Sequence, residues 1–535
     1  MAWSACRWLP GAGRRFDLLV SGLEGLSRDE LIVLVGEQAK RIAELVAANE
    51  VLGGRVARLE HLLSRNSSNS SSPPSKDDEP GGTPPKAKRR RGGGTDRSRG
   101  KQKGAAGSRL AWRESPDDQK DRFPEGRCEC GSDLADAADL GVVDRYQQTE
   151  IPLVTATVTQ FDQHAVACGC GKVHAASRPE GARSGPVAYG PNLQAWVIFL
   201  MVVHHLPVHR CVQLLEALTG ARPSVGFVHG MLARTAVALS EADKRIRTLI
   251  TLAYVVVMDE TPLRVGPKKP RPGRKKAEKY LLVACTDLYT QYLLGDRDLA
   301  TFRASVLKEL AAAGAVVVHD RYHLYDNPVF NNGESEDGEF AKIVHQLCCQ
   351  HLCRDLDDAG EVYPDEHWPT QIADALRGLI HATNLARHDR SDGHDTRYCR
   401  HCREQNTTPT VAELLRSFQR GVRVGLSSTL NHGSRPGERK ARLLLECLRD
   451  REDDVLRFLL DPLVPPTSNA AERELRPSKI QQNSSGRLTS EARTQDRYTI
   501  LGYLNTAAKH GHAKITALRE TMLGQPWMPD LPAPT

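Results

Sequence analysis

The chain has 535 residues, 40% of them hydrophobic, and a formal net charge of +7 that is spread unevenly. That is apolar content enough for three or four cored domains, which excludes a wholly disordered chain. No apolar run reaches membrane-spanning length, and Met1 to Gly22 has arginines around its few apolar residues and no h-region, so neither a bilayer anchor nor a secretory leader is expected.

A chain of this kind is expected to be cytoplasmic with reduced thiols. Its 13 cysteines then read as metal ligands or buried fillers rather than disulfides. Residues 1–65 hold a capping box, Ser27-Arg28-Asp29-Glu30, followed by two heptad columns. One column is Val35, Ile42, Asn49, Val56 and Leu63; the other is Leu31, Gln38, Leu45, Leu52 and Leu59. β-Branched residues in the first and Leu in the second favour a parallel two-stranded coil, with Asn49 fixing register. An amphipathic helix packed on its own chain is the alternative, and Gly53-Gly54 weakens the coil.

Residues 66–110 are rich in Ser, Pro, Gly, Lys and Arg and cannot bury enough apolar surface to fold alone. Lys86, Lys88, Arg89, Arg90, Arg91, Arg97, Arg99, Lys101 and Lys103 form a basic run there, either a solvated linker or a tether that follows phosphates. Residues 111–182 carry Cys128-Glu129-Cys130-Gly131 and Cys168-Gly169-Cys170-Gly171. Paired thiolates on glycine-bearing turns suit a tetrahedral zinc site, so Cys128, Cys130, Cys168 and Cys170 are the candidate zinc ligands, with His164 or His174 able to substitute. The usual knuckle has two intervening residues, and buried inert cysteines are the competing reading. Ile151 to Phe161 alternates like a strand.

Residues 183–250 read as helices. Val208 to Leu218, a turn at Thr219 to Ser224 and Val225 to Ala238 make a helix-turn-helix-like pair. His204, His205 and His209 have no accompanying Cys or carboxylate and are assigned to packing and helix surface. In residues 251–335, Ala253 to Met258 is an apolar strand ending at Asp259. Alone, such an Asp is most simply a turn or cap residue. After a basic hairpin tip, Lys268 to Lys279, come strands at Tyr280 to Thr286 and Gln291 to Leu294 and a helix over Leu299 to Ala313. Ala315 to His319 then repeats the apolar strand and ends at Asp320. This is the element order of a ribonuclease-H-like α/β fold, in which Asp259 and Asp320 lie side by side and repel unless divalent cations sit between them.

Residues 336–462 are expected to be an α-helical insertion, with Cys348, Cys349, Cys353, Cys399 and Cys402 in it; Cys399-x-x-Cys402 is at most half a second zinc site. Residues 463–520 resume the core, where Ser468 or Asn469 caps a helix bearing Glu472, with Arg476 one turn on. Residues 521–535 form a C-terminal tail.

These segments together resemble the transposases of the insertion sequence 66 family, over nearly the whole length. The zipper ending in Asn66-Ser67-Ser68-Asn69-Ser70-Ser71, the cysteine knuckles, His205-Leu206-Pro207, Asp259-Glu260-Thr261-Pro262 and Asp320-Arg321-Tyr322 carry the resemblance. So does Asn469-Ala470-Ala471-Glu472-Arg473 running into Lys479-Ile480-Gln481-Gln482. Two departures are Ser468, where the family usually shows a second Asn, and the shortened knuckles. The resemblance implies a DDE-type catalytic triad, Asp259, Asp320 and Glu472, holding two magnesium (or manganese) ions about 3.5–4 Å apart for phosphodiester cleavage and strand transfer. It implies DNA partners: terminal inverted repeats and target DNA, contacted by Arg473, Arg476, Lys479 and the basic run Lys88, Arg89, Arg90 and Arg91. It also implies a homodimer or larger synaptic assembly, accessory proteins of the element, and a bacterial, nucleoid-associated location. Glu260 is either a reserve metal ligand or, as expected here, points away from Asp259, because adjacent strand residues face opposite sides. Two rivals remain: a nuclease of the same fold that cuts without rejoining, and a zinc-dependent DNA-binding regulator without catalysis.

Overall fold

The computed structural model describes residues 112–179, 185–269, 278–331, 342–389, 410–430 and 436–531, with scattered positions between 27 and 46. Apart from Gln38 and Leu45, the two zipper columns lie outside the described residues, as do the basic run with Lys88, Arg89, Arg90 and Arg91, and Cys399 and Cys402.

A five-stranded mixed sheet forms the centre. Strands β1 (Ala165–Ala167) and β2 (Val173–Ala175) pair separately near the chain start. The central strands are β3 (Val255–Leu263), β4 (Lys279–Cys285), β5 (Thr290–Gly295), β6 (Val316–His319) and β7 (Val344–Leu347), in spatial order β5-β4-β3-β6-β7. β3 pairs antiparallel with β4, and β4 with β5; β3 and β6, and β6 and β7, are parallel. Val256, Val257, Val316, Val317 and Val318 are all buried, as unbroken apolar runs with both faces covered should be.

The β5–β6 crossover differs from the single helix expected over 299–313. It is two short helices, α5 (Leu299–Ala304) and α6 (Leu307–Ala312). Ser305 breaks them apart: its hydroxyl donates to the Phe302 carbonyl at 2.6 Å and accepts from the Leu307 N–H at 3.2 Å, competing with the helical ladder. β7 falls inside the stretch expected to be wholly helical. Its four residues include His345 and Gln346, so it carries no apolar signal. The open edge of β6 makes it a strand. Buried Gln346 is satisfied from above, donating to the Val455 carbonyl at 3.0 Å and accepting from the Phe458 N–H at 3.0 Å.

Between residue 185 and the central sheet, the helices are α1 (Pro191–Ile198), which runs into a π-helical turn (Phe199–Val203), α2 (Val208–Thr219), α3 (Val225–Ala238) and α4 (Ser240–Thr251). Gly220, at φ 72°, closes α2, and the Ser224 hydroxyl accepts from the Phe227 N–H to open α3, the turn expected from the sequence. After β7 come α7 (Cys349–Val362), α8 (Trp368–Asp389), α9 (Val411–Ser428), α10 (Pro436–Asp450) and α11 (Glu452–Leu460). They pack on one another around Trp368, Ile372, Leu376, Phe418 and Leu445. Then α12 (Asn469–Ser485) lies on β3 and β4, α13 (Glu491–Lys509) on β5, and α14 (Lys514–Met522) on α1. Glu474 pins α12 in place, accepting from Thr290 Oγ1 and Asn505 Nδ2 and pairing with Lys509.

Ile151 to Phe161 forms no strand. Leu153 and Val158 stand in the open, and the backbone there makes a single bond to the helices, Ala156 N–H to the Thr219 carbonyl. With no neighbouring ladder among the described residues, alternation alone does not produce a strand. No helix among the described residues is long and apolar enough to cross a membrane.

α13 approaches β5 through Gly502, where a Cβ would meet the Thr290 carbonyl oxygen at 3.0 Å and the Tyr292 ring at 3.5 Å. Ala at this position gains about 1 kcal/mol of helix propensity, comparable to the crowding it introduces. Gly502→Ala should therefore leave stability nearly unchanged, whereas Gly502→Val should cost about 1–3 kcal/mol. Thermal melting of the two variants checks this; equal melting temperatures would mean the helix can lift off the sheet freely.

Candidate active site

Asp259 and Asp320 come together through strand register. β3 and β6 pair Val257 with Val318, and each chain runs two residues further to its Asp. β6 stops there because the Asp320 carboxylate turns back to accept the Tyr322 N–H at 3.1 Å, an Asx-type turn. Asp259 Oδ1 accepts the Glu260 N–H at 2.8 Å. Burial first, then the negative charges of Glu260 and Asp320, push the Asp259 carboxyl up to about 8. Burial also raises Asp320, while His351, the Tyr322 N–H and Arg297 hold it down.

Glu472 enters from α12. Ser468 occupies the cap position, as expected, but its hydroxyl makes no capping bond; its N–H instead donates to Cys348 Sγ at 3.2 Å. Next to it, the Cys349 N–H donates to the Pro466 carbonyl at 2.9 Å. These two bonds fasten the start of α12 to the start of α7. They bring His351 Nε2 to 3.9 Å and an Arg354 guanidinium nitrogen to 3.6 Å from Glu472 Oε1. Both are beyond hydrogen-bond length, so this buried carboxylate oxygen has no hydrogen-bond partner.

His351 is the common neighbour of the three acids. The adjacent Cys348 side chain first, and Asp320 further off, raise it to about 9 against the effect of burial. Its positive charge in turn favours ionised Asp259 and Asp320. Burial raises the Cys348 thiol, but His351 and the Ser468 N–H outweigh it and bring it below the ordinary thiol range. Cys348 is named from the sequence among the cysteines of this stretch without a role, and His351 not at all. The available signal was spacing: Cys348, His351 and Arg354 recur every third residue along one side of the first turns of α7.

Glu260 turns to Arg297, which donates to it at 2.6 Å, while its charge still reaches Asp259. Lys479 lies two turns beyond Glu472 on α12. Burial lowers it, and the nearby Glu278 and Asp259 charges counteract that. Arg473 and Arg476 are exposed on the outer side of the same helix.

The two cysteine knuckles share one turn. The Cys128 N–H bonds the Ser132 carbonyl and Gly131 N–H the Cys128 carbonyl; Cys168, Lys172 and Gly171 repeat the pattern. Gly131 and Gly171 have φ of 92° and 88°, which residues with a Cβ rarely adopt. All four thiols are exposed, and the Ser132 side chain and backbone lower Cys130 to about 7. Among the described residues, no group of three or more His, Cys, Asp or Glu side chains is spaced to hold a metal ion, at the knuckles or at the acids.

Comparison with known proteins adds two matches. The family model described as Transposase IS66 family matches residues 186–496, which include every residue of the acid cluster. A model described as a family of unknown function (DUF6444) matches residues 26–111. No curated protein matches the chain.

The raised Asp259 carboxyl makes stability depend on pH. Its folded value of about 8 lies above its ordinary 3.8, so between those values the folded chain holds a proton that the unfolded chain has released. With divalent cations chelated, stability should fall as pH rises from about 4 to about 8 and then level off. Asp259→Asn should reduce that slope to the part contributed by Glu260 and Asp320, which are raised in the same direction, and melt above the wild type at pH 8, as thermal melting across a pH series would record. A slope equal to the wild type's would place the titrating group elsewhere.

Proposed function

Because the chain belongs to the IS66 family of transposases, we propose that it binds the ends of its element and carries out strand cleavage and strand transfer with Asp259, Asp320 and Glu472. Family membership makes it a DNA-binding and, in general terms, a DNA-cleaving enzyme. The observation that carries the finer reading is the placement of the acids. Asp259 lies in the middle of β3, which continues to Leu263 instead of ending at the acid, Asp320 lies just past the end of the adjacent parallel strand β6, and the third is on a helix laid against the same sheet. Sheet order β5-β4-β3-β6-β7, with three antiparallel strands followed by two parallel ones, supports a ribonuclease-H-like core.

The donors suit magnesium or manganese. They are hard carboxylate oxygens; Asp259 is half-buried beside like charges, and Glu472 Oε1 is buried with no donor to satisfy it. Asp259, Asp320 and Glu472 would hold the metal, which when bound supplies activation of the attacking oxygen and neutralisation of the leaving one. The residues around them do the rest. His351 and Arg354 stand beside Glu472 and offer positive charge next to its carboxylate. Arg473, Arg476 and Lys479 offer phosphate contacts along α12, and Lys88, Arg89, Arg90 and Arg91 supply sequence-independent affinity. In the reaction a water oxygen, or in the transfer step a DNA 3′-hydroxyl, forms a bond to phosphorus as the opposite P–O3′ bond breaks. No protein nucleophile takes part. The knuckle cysteines would hold one structural zinc once the two turns meet, and the N-terminal heptads would pair two chains.

Asp259→Asn, Asp320→Asn and Glu472→Gln should each abolish cleavage and transfer on an end-containing duplex while leaving DNA binding within about twofold, since the amides keep size and lose only charge. Asp259→Cys should be inactive in magnesium and partly active in manganese, the softer ion. Wild-type activity of Asp259→Asn in magnesium would remove this mechanism. Cleavage without any joined product would leave a nuclease in its place.

Purified chain should contain zinc, and Cys168→Ser should lower it and weaken end binding without unfolding the core. A protein with no stoichiometric zinc would refute the knuckle assignment.

A further inference from the structure

Arg297, two residues past β5, is built into the wall of the acid cluster. Its Nε and Nη2 both donate to Oε1 of Glu260, at 3.0 and 2.6 Å, and the Glu260 side chain is wholly buried. Glu260 Oε2 accepts the hydroxyl of fully buried Tyr325 at 3.3 Å. The guanidinium lies 3.6 Å from the centroid of the Tyr322 ring and 5.5 Å from that of Tyr280. Nη2 stands 4.0 Å from Asp320 Oδ2, too far to donate. About a third of the side chain stays exposed, and no acceptor among the described residues reaches Nη1.

An exposed Arg–Glu pair needs none of this: it forms loosely, between mobile side chains. Burying a glutamate is costly, and here it fixes the plane and direction of one arginine beside the acids. The Glu260 bond uses two of the five guanidinium donors and leaves the outer edge of the fork open. A planar fork held in one direction matches the oxygens of a phosphate.

Resting on the transposase reading, we propose that Arg297 is a phosphate-positioning residue: its outer edge takes a non-bridging oxygen of a DNA phosphate next to the bond that is cut. Glu260, Tyr322 and Tyr325 are the clamp that aims it. Glu260 on this account serves the arginine rather than a metal.

The test uses the full chain and a fluorescent duplex covering the DNA that borders its gene, with one phosphate at a time replaced by an uncharged methylphosphonate. Binding is read by anisotropy and cleavage is read separately. One replacement should weaken wild-type binding about tenfold, the loss expected for a hydrogen bond to a charged group. Arg297→Ala should bind the unmodified duplex about tenfold more weakly and be indifferent to that same replacement. Arg297→Lys, which keeps the charge without the fork, should behave like Ala. If Arg297→Ala does not fold, the double variant Glu260→Gln/Arg297→Gln removes the charges as a pair and should show the same indifference. Losses that multiply at every position, or a wild type weakened at none, overturn the assignment. A wild type that shows the coupled loss yet never cuts would sink the transposase chemistry and leave the Arg297 contact standing.

Discussion

The structure is organised around carboxylates that repel one another in a partly buried place. Two unit charges 4 Å apart interact by about 4 kcal/mol at an effective dielectric constant near 20, a large fraction of what holds a domain together. Strand register gives Asp259 and Asp320 no freedom to separate, because Val257 and Val318 are locked opposite each other behind them. The surroundings answer with positive charge from three directions. Arg297 comes from the end of β5, His351 and Arg354 from α7, and Lys479 from α12. Arg297 and His351 hold the carboxyl groups down while burial and mutual repulsion push them up.

This gives the helical segment that follows β7 a direct part in the site. It leaves the sheet through β7, and its first two turns carry His351 and Arg354 to Glu472. It returns through α11, whose backbone clasps Gln346 of β7. This helical segment is thus anchored at both ends on one strand. Cys348, buried and facing His351 and the Ser468 N–H, sits where the departing and returning chain meet.

The parts legible in the sequence were those with a strong local signal. The valine runs ending in Asp259 and Asp320 had one, as did the turn between α2 and α3 and the helix bearing Glu472. β7 was invisible because four residues with two polar ones form a strand only when β6 offers its edge. The break at Ser305 depended on a hydroxyl choosing its own backbone over solvent, which periodicity does not register. The roles of Cys348 and His351 were not legible because their neighbours in space, Ser468 and Glu472, lie more than a hundred residues away. Arg297 was missed likewise: its glutamate, two tyrosines and aspartate come from three separate places in the chain. Conversely, the alternation at Ile151 to Phe161 was a clear signal with no strand beside it.

How Glu472 is aimed follows from the way α12 is held. Its far end is tied to β3: Gln482 donates to the Pro262 carbonyl, and Leu488 exchanges backbone bonds with Arg264 and Gly266. The Ser485 hydroxyl also bonds the carbonyl of His205, a buried residue at φ 56° just past the π-helical turn, and Arg497 of α13 donates to Met201 within that turn. Its near end is tied to α7 by Ser468 and Cys349. Between the two lies Pro477, which has no N–H for the Arg473 carbonyl and so removes one rung of the helix. A straight helix fixed at its far end would carry Glu472 wherever that end pointed. With one rung missing in the middle, the first two turns can take their direction from α7 instead. The position of Glu472 is then set by the helix that supplies His351 and Arg354, which keeps the carboxylate and its countercharges on one fastened corner of the fold.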